Sequence, residues 1–193
     1  PWRVIGGLRV EDALERVKTM DPYNPLAEPV LSTLRNRDPL PAVNVIYSLT
    51  PRQNLRWAYG RTVSRPDFRE LSPFDFTDIV GGWATVGNAA LKRASIHNAD
   101  MRWEWFPGDE EVVAVSIFYK QFTHPIELMF EPGITLRRTY ANADGARNRG
   151  IEVELRRHLK FIPSQAGQFS ILTNLAVVDS RIRVPEAQRH TVT

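Results

Sequence analysis

The sequence predicts an all-β fold, an antiparallel up-and-down meander of about seven long strands that forms part of a transmembrane β-barrel. Apolar and polar residues alternate with period two over runs that are longer than most soluble strands. Short turns and long connections alternate strictly along the chain, as they do in a membrane barrel. Aromatic side chains collect beside the short turns, where such a barrel carries an interfacial girdle. The alternative is a water-soluble β-sandwich or solenoid with long hairpins, because half-buried soluble strands also alternate.

The alternating runs that predict strands cover residues 2–18, 42–49, 55–64, 93–106, 112–128, 134–159 and 168–184. Short turns are predicted at 50–54, 107–110 and 160–167, and long connections at 19–41, 65–92 and 129–147. Five prolines between 21 and 41 predict a loop rather than a strand in the first long connection. The second long connection has room for short strands of its own.

The polar faces of these runs carry charges of both signs. Arg9 is followed by Glu11, and two further rows are Asp100, Arg102, Glu104 and Glu152, Glu154, Arg156. The polar lumen of a wide barrel accepts such rows, whereas the interior of a small soluble barrel does not. These rows therefore favour the membrane barrel over the soluble alternative.

Composition excludes several classes of function. The chain has 193 residues, and its 25 Lys and Arg against 22 Asp and Glu give a net charge of +3, which does not indicate nucleic-acid binding. The absence of Cys excludes disulfides, zinc–thiolate sites, iron–sulfur clusters and thiol nucleophiles. No apolar run is long enough for a transmembrane helix. The chain begins at Pro1 without Met or a signal peptide, and we interpret it as a fragment of a longer protein.

No catalytic or metal-binding constellation stands out. The four histidines (His97, His124, His158 and His190) are scattered rather than placed at metal-ligand spacing, so no metal or cofactor is predicted. Glu152 and Glu154 lie about 7 Å apart along one strand face, a separation that permits a glycoside hydrolase. Rows of structural charge explain the same pair, and we predict that the chain is not an enzyme.

Five motifs in order resemble the C-terminal barrel of TonB-dependent outer-membrane receptors. Arg65-Pro66 with Glu70-Leu71 resembles the family's Arg-Pro…Glu-Leu segment, and Gly87-Asn88 resembles its Gly-Asn-x-x-Leu. The others lie in 98–107, in 115–120 with 125–127, and in 142–154, and the opening segment 6–11 fits a further family strand. The motif positions carried over as structural are Arg65, Pro66, Glu70, Leu71, Gly87, Asn88, Glu104, Pro107, Tyr119, Lys120, Asn142, Gly150, Glu152 and Glu154. We expect Arg65 to pair with Glu70, and Glu104, Glu152 and Glu154 to face the lumen beside Arg102 and Arg156.

The resemblance implies that residues 1–193 are part of an outer-membrane barrel of about 22 strands. It implies energy-coupled uptake of a scarce solute, which in this family is a siderophore, haem, cobalamin or an oligosaccharide. The expected partners are that solute, outer-membrane lipid, and a TonB-type energy-coupling protein that acts through a plug domain. Neither the plug nor the family's aromatic-ended last strand is recognised in the chain. No nucleic-acid partner is expected.

The long connections are the predicted ligand surface. Its candidate residues are Phe74, Phe76, Trp83, Arg137, Arg138 and Tyr140. The aromatics can stack on sugar rings or an aromatic chelator, and the arginines can pair with an anionic ligand; alternatively, the aromatics pack the loops against each other. Two other functions stay open, a surface β-rich ligand-binding module without transport and a soluble β-rich glycan hydrolase. The hydrolase predicts that Glu152→Gln or Glu154→Gln abolishes turnover and leaves the fold intact.

Overall fold

The computed structural model describes residues 1–20, 26, 28–76, 82–130, 137–158 and 169–185. Its elements in chain order are β1 (Trp2–Thr19), β2 (Val30–Thr50), β3 (Gln53–Ser64), α1 (Phe68–Leu71), β4 (Asp75–Phe76), β5 (Ala84–Val86), β6 (Ala94–Trp105), β7 (Val112–Thr123), β8 (Ile126–Phe130), β9 (Arg137–Asn142), β10 (Gly145–His158) and β11 (Ser170–Arg183). Within these ranges, no helix is long and apolar enough to cross a membrane.

Seven long strands form one sheet in the order β1-β2-β3-β6-β7-β10-β11. Every neighbouring pair in it is antiparallel. These strands are 12 to 21 residues long, whereas soluble strands usually have about 5–6 residues. The predicted up-and-down meander of long strands is therefore confirmed, and we call this sheet the main sheet.

One face of the main sheet carries an apolar band that crosses all seven strands. The central row of this face, followed from strand to strand by the pairing register, is Val4, Val45, Trp57, Met101, Ile117, Ile151 and Val177. Ile117, Ile151 and Val177 are 49%, 52% and 68% exposed. A soluble protein rarely leaves so large an apolar surface open to water, whereas a barrel presents it to lipid. This face favours the membrane barrel over the soluble alternative.

Aromatic residues border the apolar face at both ends. Near the short turns, Trp2 stacks on Tyr47 with ring centroids 4.4 Å apart, and Trp103 and Trp105 lie on the same face. Near the long connections, Tyr59 and Tyr119 share one row with Ala99 between them. Trp105 lies six positions after Ala99 on β6, which corresponds to about 20 Å along a strand. The two aromatic rows therefore flank a band close to the height that a bilayer requires.

The long connections build a second sheet, which we call the loop sheet. Its strand order is β4-β5-β9-β8, and β5 runs parallel to β9. Its small buried core contains Met129, Ala141 and Ala143, with Val184 packed against it. The loop sheet lies over the polar face of the main sheet, because Glu127 of β8 lines one cavity together with Phe122 of β7.

The predicted loop over 21–41 is wrong for residues 30–41, which form the first half of β2. Pro39 and Pro41 pair with Val10 and Leu8 of β1. The ladder between β2 and β3 begins only at Ala42. This part of β2 therefore has a neighbour on one side alone, where a residue without an N–H donor is tolerated. Residues 21–25 and 27 lie outside the described residues.

The predicted strand over 112–128 is divided in two. β7 ends at Thr123, His124 takes a left-handed backbone with φ 54°, and β8 then joins the loop sheet. Proline at 125 supplies no backbone donor, which fits the break between the two sheets. The connection 65–92 does contain two short strands, and α1 in the same connection was not predicted. The turn predicted at 160–167 lies outside the described residues.

Candidate functional site: the polar face and the loop sheet

A charge network crosses the polar face at mid-height. Glu104, which is 8% exposed, accepts hydrogen bonds from Arg56 Nε at 2.7 Å and from Arg102 Nε at 3.0 Å. Arg102 also donates to Glu154 Oε2 at 2.6 Å and to Ser116 Oγ at 3.1 Å. Glu104 lies beside Arg102 as predicted, and the arginines neutralise both Glu104 and Glu154.

Glu152 and Arg156 lie outside this network. Glu152 shares the polar face with Glu154 by strand alternation, and its side chain is exposed. The ion-pair partner of Glu154 is Arg102, so the expected partnership with Arg156 is wrong. Opposite charges therefore pair across the sheet, and Arg102 of β6 reaches over β7 to Glu154 of β10.

A second ionic cluster binds both ends of the connection 65–93 to the main sheet. Asp38 is completely buried and lies 3.2 Å from Arg65 Nη2 and 2.6 Å from Arg93 Nη2. Arg65 Nη2 also lies 2.8 Å from Glu11 Oε2. Because Arg65 and Arg93 flank the connection, one buried carboxylate on β2 holds both of its ends.

The predicted Arg65–Glu70 pair is wrong. Arg65 turns to Asp38 and Glu11 on the main sheet, while Glu70 accepts a hydrogen bond from Asp67 N at 2.9 Å. Asp67 in turn caps the first turn of α1, so the two carboxylates form a capping box. Sequence spacing alone does not show whether Glu70 caps the backbone of Asp67, three residues before it, or pairs with Arg65, five residues before it.

The remaining motif residues of this connection are packing and hydrogen-bonding positions. Pro66 and Leu71 are buried. Gly87 lies against the carbonyl groups of Arg69 and Ser72, where a Cβ has no room. Asn88 donates from Nδ2 to Tyr140 O at 2.9 Å, which joins this connection to β9.

Asn142 joins the two long connections from the other side. Its Oδ1 accepts from Lys92 N at 2.7 Å. Its Nδ2 donates to Lys92 O at 2.8 Å and to His124 O at 2.9 Å. The oxygen and both N–H groups of this amide therefore bind backbone groups, which explains why a neutral amide occupies the position.

The other motif residues lie on the main sheet. Pro107 O accepts from Arg52 Nη1 at 3.1 Å, which links two short turns. Gly150 lies under the ring of Phe118, and Lys120 Nζ is 5.8 Å from the centroid of the same ring. Tyr119 lies on the apolar face and is 42% exposed. None of these four motif residues belongs to the loop sheet.

Four of the six predicted ligand residues share one face of the loop sheet. By register, Phe76, Arg138 and Tyr140 lie on this face, and Trp83 joins them beside Phe130. Phe74 contacts Phe76 edge to face at 5.9 Å. Arg137 lies on the opposite face and pairs with Asp75 at 2.8 Å.

The structure adds Phe130 and Arg69 to this group. The rings of Trp83 and Phe130 have centroids 4.7 Å apart, and each residue is a little over one-third exposed. Arg69 places its guanidinium carbon 4.4 Å from the centroid of the Phe76 ring. Phe130 lies in a predicted long connection and Arg69 on an unpredicted helix, so only the three-dimensional structure places them beside Trp83 and Phe76. We call Phe76, Trp83, Phe130, Arg138 and Tyr140 the aromatic loop surface.

A cavity of about 620 Å³ lies between the polar face and the connections. Its polar lining consists of Ser64, Arg65, Asp67, Glu70, Glu127, Asn148 and Ser180. Burial raises the pKa of Glu127. Among the described residues, no group of three or more His, Cys, Asp or Glu is placed to hold a metal ion. The arrangement is suited to binding a polar solute.

A long-stranded antiparallel sheet with an apolar outer face, a charged inner face and infolded long connections defines a section of an outer-membrane barrel. The family described as "TonB dependent receptor-like, beta-barrel" matches residues 1–193. The chain belongs to this family. Its receptors are transporters that reside in the outer membrane, so the chain is assigned to that membrane and to no enzyme class. The apolar face of the main sheet is therefore its lipid-facing side, and the polar face lines the lumen.

Solved structures show the same fold at low identity. The siderophore receptor PirA from Pseudomonas aeruginosa matches 94% of this chain with 17% identity and a TM-score of 0.63. The FrpB iron transporter from Neisseria meningitidis (F3-3 variant) matches 97% with 13% identity and a TM-score of 0.63. The copper transporter OprC matches 93% with 19% identity and a TM-score of 0.67. The chain spans 34%, 25% and 27% of these three proteins, respectively. A comparison with curated protein sequences gave no significant match.

Proposed function

We propose that the receptor carrying this chain takes up a scarce solute across the outer membrane by active transport. Residues 1–193 contribute part of its barrel domain, and a TonB-type protein supplies energy through a plug domain. The observation that carries the proposal is the placement of the loop sheet, which folds back over the lumen face and leaves a polar cavity beneath it. A receptor that captures a solute outside and passes it inward needs both a binding surface and a space below it.

We infer the class of solute from the chemistry of the aromatic loop surface. The aromatic loop surface offers stacking faces, and Arg138 lies among them on the same face. Aromatic rings with an adjacent guanidinium suit a ligand that combines flat rings with negative charge. Siderophores and haem have that character, whereas cobalamin and oligosaccharides have less negative charge. The similarity to receptors named for siderophore and iron transport supports the same choice.

The test is uptake by cells that express the intact receptor. A panel of labelled ferric siderophores, haem, cobalamin and oligosaccharides is offered with and without the energy-coupling protein. We expect accumulation of one chelate or haem that stops when the coupling protein is deleted. Surface binding without coupled accumulation would instead support the binding module, and neither binding nor uptake across the panel would contradict the proposed solute classes.

A double variant tests whether the solute binds on the loop sheet. Trp83→Ala combined with Arg138→Gln removes one stacking face and one charge from the aromatic loop surface. We expect solute affinity to fall by about tenfold or more, since each such contact is worth on the order of 1 kcal/mol. Phe68→Ala is the matched control, because Phe68 is an exposed aromatic of the same connection outside that surface. If the double variant and Phe68→Ala bound the solute with equal affinity, the solute would bind outside the aromatic loop surface.

A further inference from the structure

An aromatic ring and a lysine lie side by side on the lumen face of the main sheet, just below the cavity. Phe118 of β7 lies directly opposite Gly150 of β10, and its ring covers this glycine. A Cβ on Gly150 would lie 2.7 Å from two atoms of the ring, so glycine is what lets the ring rest against the backbone. Lys120, two residues farther out on the same face, places Nζ 5.8 Å from the centroid of the Phe118 ring. The lumen wall therefore presents a ring and an ammonium group together.

Lys120 is not neutralised as the arginines of the mid-height network are. Arg56 and Arg102 form short ion pairs with Glu104 and Glu154. In the part of the chain that the structure describes, Lys120 forms no ion pair, and its side chain is half-buried. An ammonium group has three hydrogen-bond donors, and the contact with the Phe118 ring uses none of them in a conventional hydrogen bond. Lys120 therefore keeps both a charge and donors that an anionic ligand can use.

Asn148 joins this pair to the cavity. It lies opposite Lys120 in the ladder between β7 and β10, and it lines the cavity beneath the loop sheet. Its Oδ1 accepts a hydrogen bond from Ser180 Oγ at 2.7 Å, so its amide N–H groups are the donors that the side chain has left to offer. We call Phe118, Lys120 and Asn148 the lumen-wall site.

The lumen-wall site lies on the way inward from the cavity. Along the lumen face of β7, Phe122 lines the cavity, Lys120 and Phe118 follow, and Ser116 belongs to the mid-height network. Successive residues of one strand face are about 7 Å apart. A solute that leaves the cavity along this wall therefore meets the lumen-wall site within one or two residue spacings.

We propose that the lumen-wall site binds the transported solute a second time, after the solute has left the aromatic loop surface. The site repeats the chemistry of that surface, a ring beside a cation, so it suits the same class of anionic solute with flat rings. A solute that moves inward gives up its contacts with the loop sheet. Equivalent contacts at the next level offset part of that loss and lower the barrier of the inward step. The inference rests on the proposed function, because it requires a receptor that transports such a solute.

The test separates binding at the surface from uptake. Cells that express the intact receptor are given two anionic probes with flat rings, a labelled ferric tris-catecholate siderophore and labelled haem. Surface affinity is measured in cells without the energy-coupling protein, and the maximal uptake rate in cells that contain it. We expect Lys120→Gln to lower the maximal uptake rate of the accumulated probe by about fivefold, the factor that one such contact contributes, and to leave the surface affinity unchanged.

Two further variants distinguish a binding role from a structural one. Lys120→Arg keeps the cation and should restore uptake, whereas Phe118→Leu keeps an apolar side chain without the ring and should lower uptake as Lys120→Gln does. Lys18→Gln is the matched control, because it removes the same charge from an exposed position of β1 that faces away from the lumen. All variants are compared at equal amounts of receptor in the outer membrane.

Each other outcome overturns a stated part of the inference. If Lys120→Gln took up the probe as the unchanged receptor does, the lumen-wall site would be wrong and the proposed function would stand. If the unchanged receptor accumulated neither probe, the proposed solute class would fail, and the lumen-wall site with it. A weaker surface affinity in Lys120→Gln would place Lys120 in the first binding site. Accumulation by Lys120→Gln without the energy-coupling protein would show that Lys120 holds the plug in place and does not bind the solute.

Discussion

Gly87 and Gly150 lie where another segment leaves no room for a side chain. A Cβ on Gly87 would meet the carbonyl groups of Arg69 and Ser72, and a Cβ on Gly150 would meet Val177 O and the Phe118 ring. Backbone atoms cannot move aside as the end of a flexible side chain can. The two motif glycines are therefore required by close approach, which sequence resemblance marks but does not explain.

We predict that Gly87→Ala destabilises the packing of the connection 65–93 by about 1–3 kcal/mol, the usual cost of overpacking. The measurement is the susceptibility of this connection to limited proteolysis in the folded receptor. Gly7→Ala is the control, because a Cβ on Gly7 meets no atom within 4 Å. Similar proteolysis of the two variants would show that the contact with Ser72 and Arg69 does not constrain the connection.

Glu104 is the carboxylate on which the mid-height network depends. It accepts from two arginines and is nearly buried, so Glu104→Ala leaves Arg56 and Arg102 with fewer partners. We expect a loss of about 1–3 kcal/mol in the free energy of unfolding, measured by urea titration of the folded receptor. Glu152→Ala removes an exposed carboxylate from the same face and should change stability little. A larger effect at Glu152 would contradict the assignment of the network.

At the scale of elements, the connection between β3 and β6 depends on one buried carboxylate. Asp38 lies within 3.2 Å of Arg65 and within 2.6 Å of Arg93. Asp38→Asn removes the charge that both arginines share, so we predict faster hydrogen exchange in α1 and β5 while β3 and β6 stay protected. Asp12→Asn makes the same change at an exposed position of β1. Unchanged exchange in Asp38→Asn would show that packing alone holds the connection.

The loop sheet should depend on pH through Glu127. Burial raises the pKa of this carboxyl, so the folded state binds its proton more readily than the unfolded state does. Stability from this group is therefore lost as pH rises from the unfolded pKa, about 4.3, through the raised folded value. We predict that Glu127→Gln removes this loss and raises the exchange protection of β8 and β9 at pH 7, after correction for intrinsic rates. Glu152→Gln, at an exposed site, should leave both the protection and its pH dependence unchanged.

An element is predictable when the pattern that defines it lies within its own run of residues. β3, β6 and β11 repeat an alternating pattern over 12 to 14 residues, and their bounds agree with the predicted runs to within a few residues. The loop sheet was not predicted because its strands are as short as two residues and because β5 pairs in parallel with a strand about 50 residues away. Proline signals at 39 and 41 predicted a loop, but the absence of a second neighbour lets β2 continue there.

For the candidate site, the sequence predicts which residues belong to the ligand surface better than it predicts which face each of them takes. Aromatic and arginine residues in long connections indicated the ligand surface, and the structure brings Phe76, Trp83, Arg138 and Tyr140 to one face. Local sequence does not determine which face a loop residue takes, so Arg137 was grouped with residues that lie opposite to it. Phe130 was missed for the same reason, since its neighbour Trp83 is far away in sequence.

At the scale of the whole molecule, the two faces of the main sheet meet different solvents. The apolar face has aromatic rows at both ends and arginines beyond them, while the opposite face carries the mid-height charge network. Ile151 and Glu152 are adjacent residues of β10 that point to opposite faces, and both are exposed. Substituting each by arginine therefore tests the environment of each face at one depth in the membrane.

We predict that Ile151→Arg costs about 2–4 kcal/mol, the range for a cation on the lipid face near the bilayer midplane. The measurement is the amount of intact receptor recovered from the outer membrane as a band that migrates faster when unboiled. Glu152→Arg introduces the same side chain on the lumen side, where water solvates it, and should insert normally. If Glu152→Arg blocked insertion and Ile151→Arg did not, the faces would be reversed. Equal recovery of both variants would contradict the assignment of the Ile151 face to lipid.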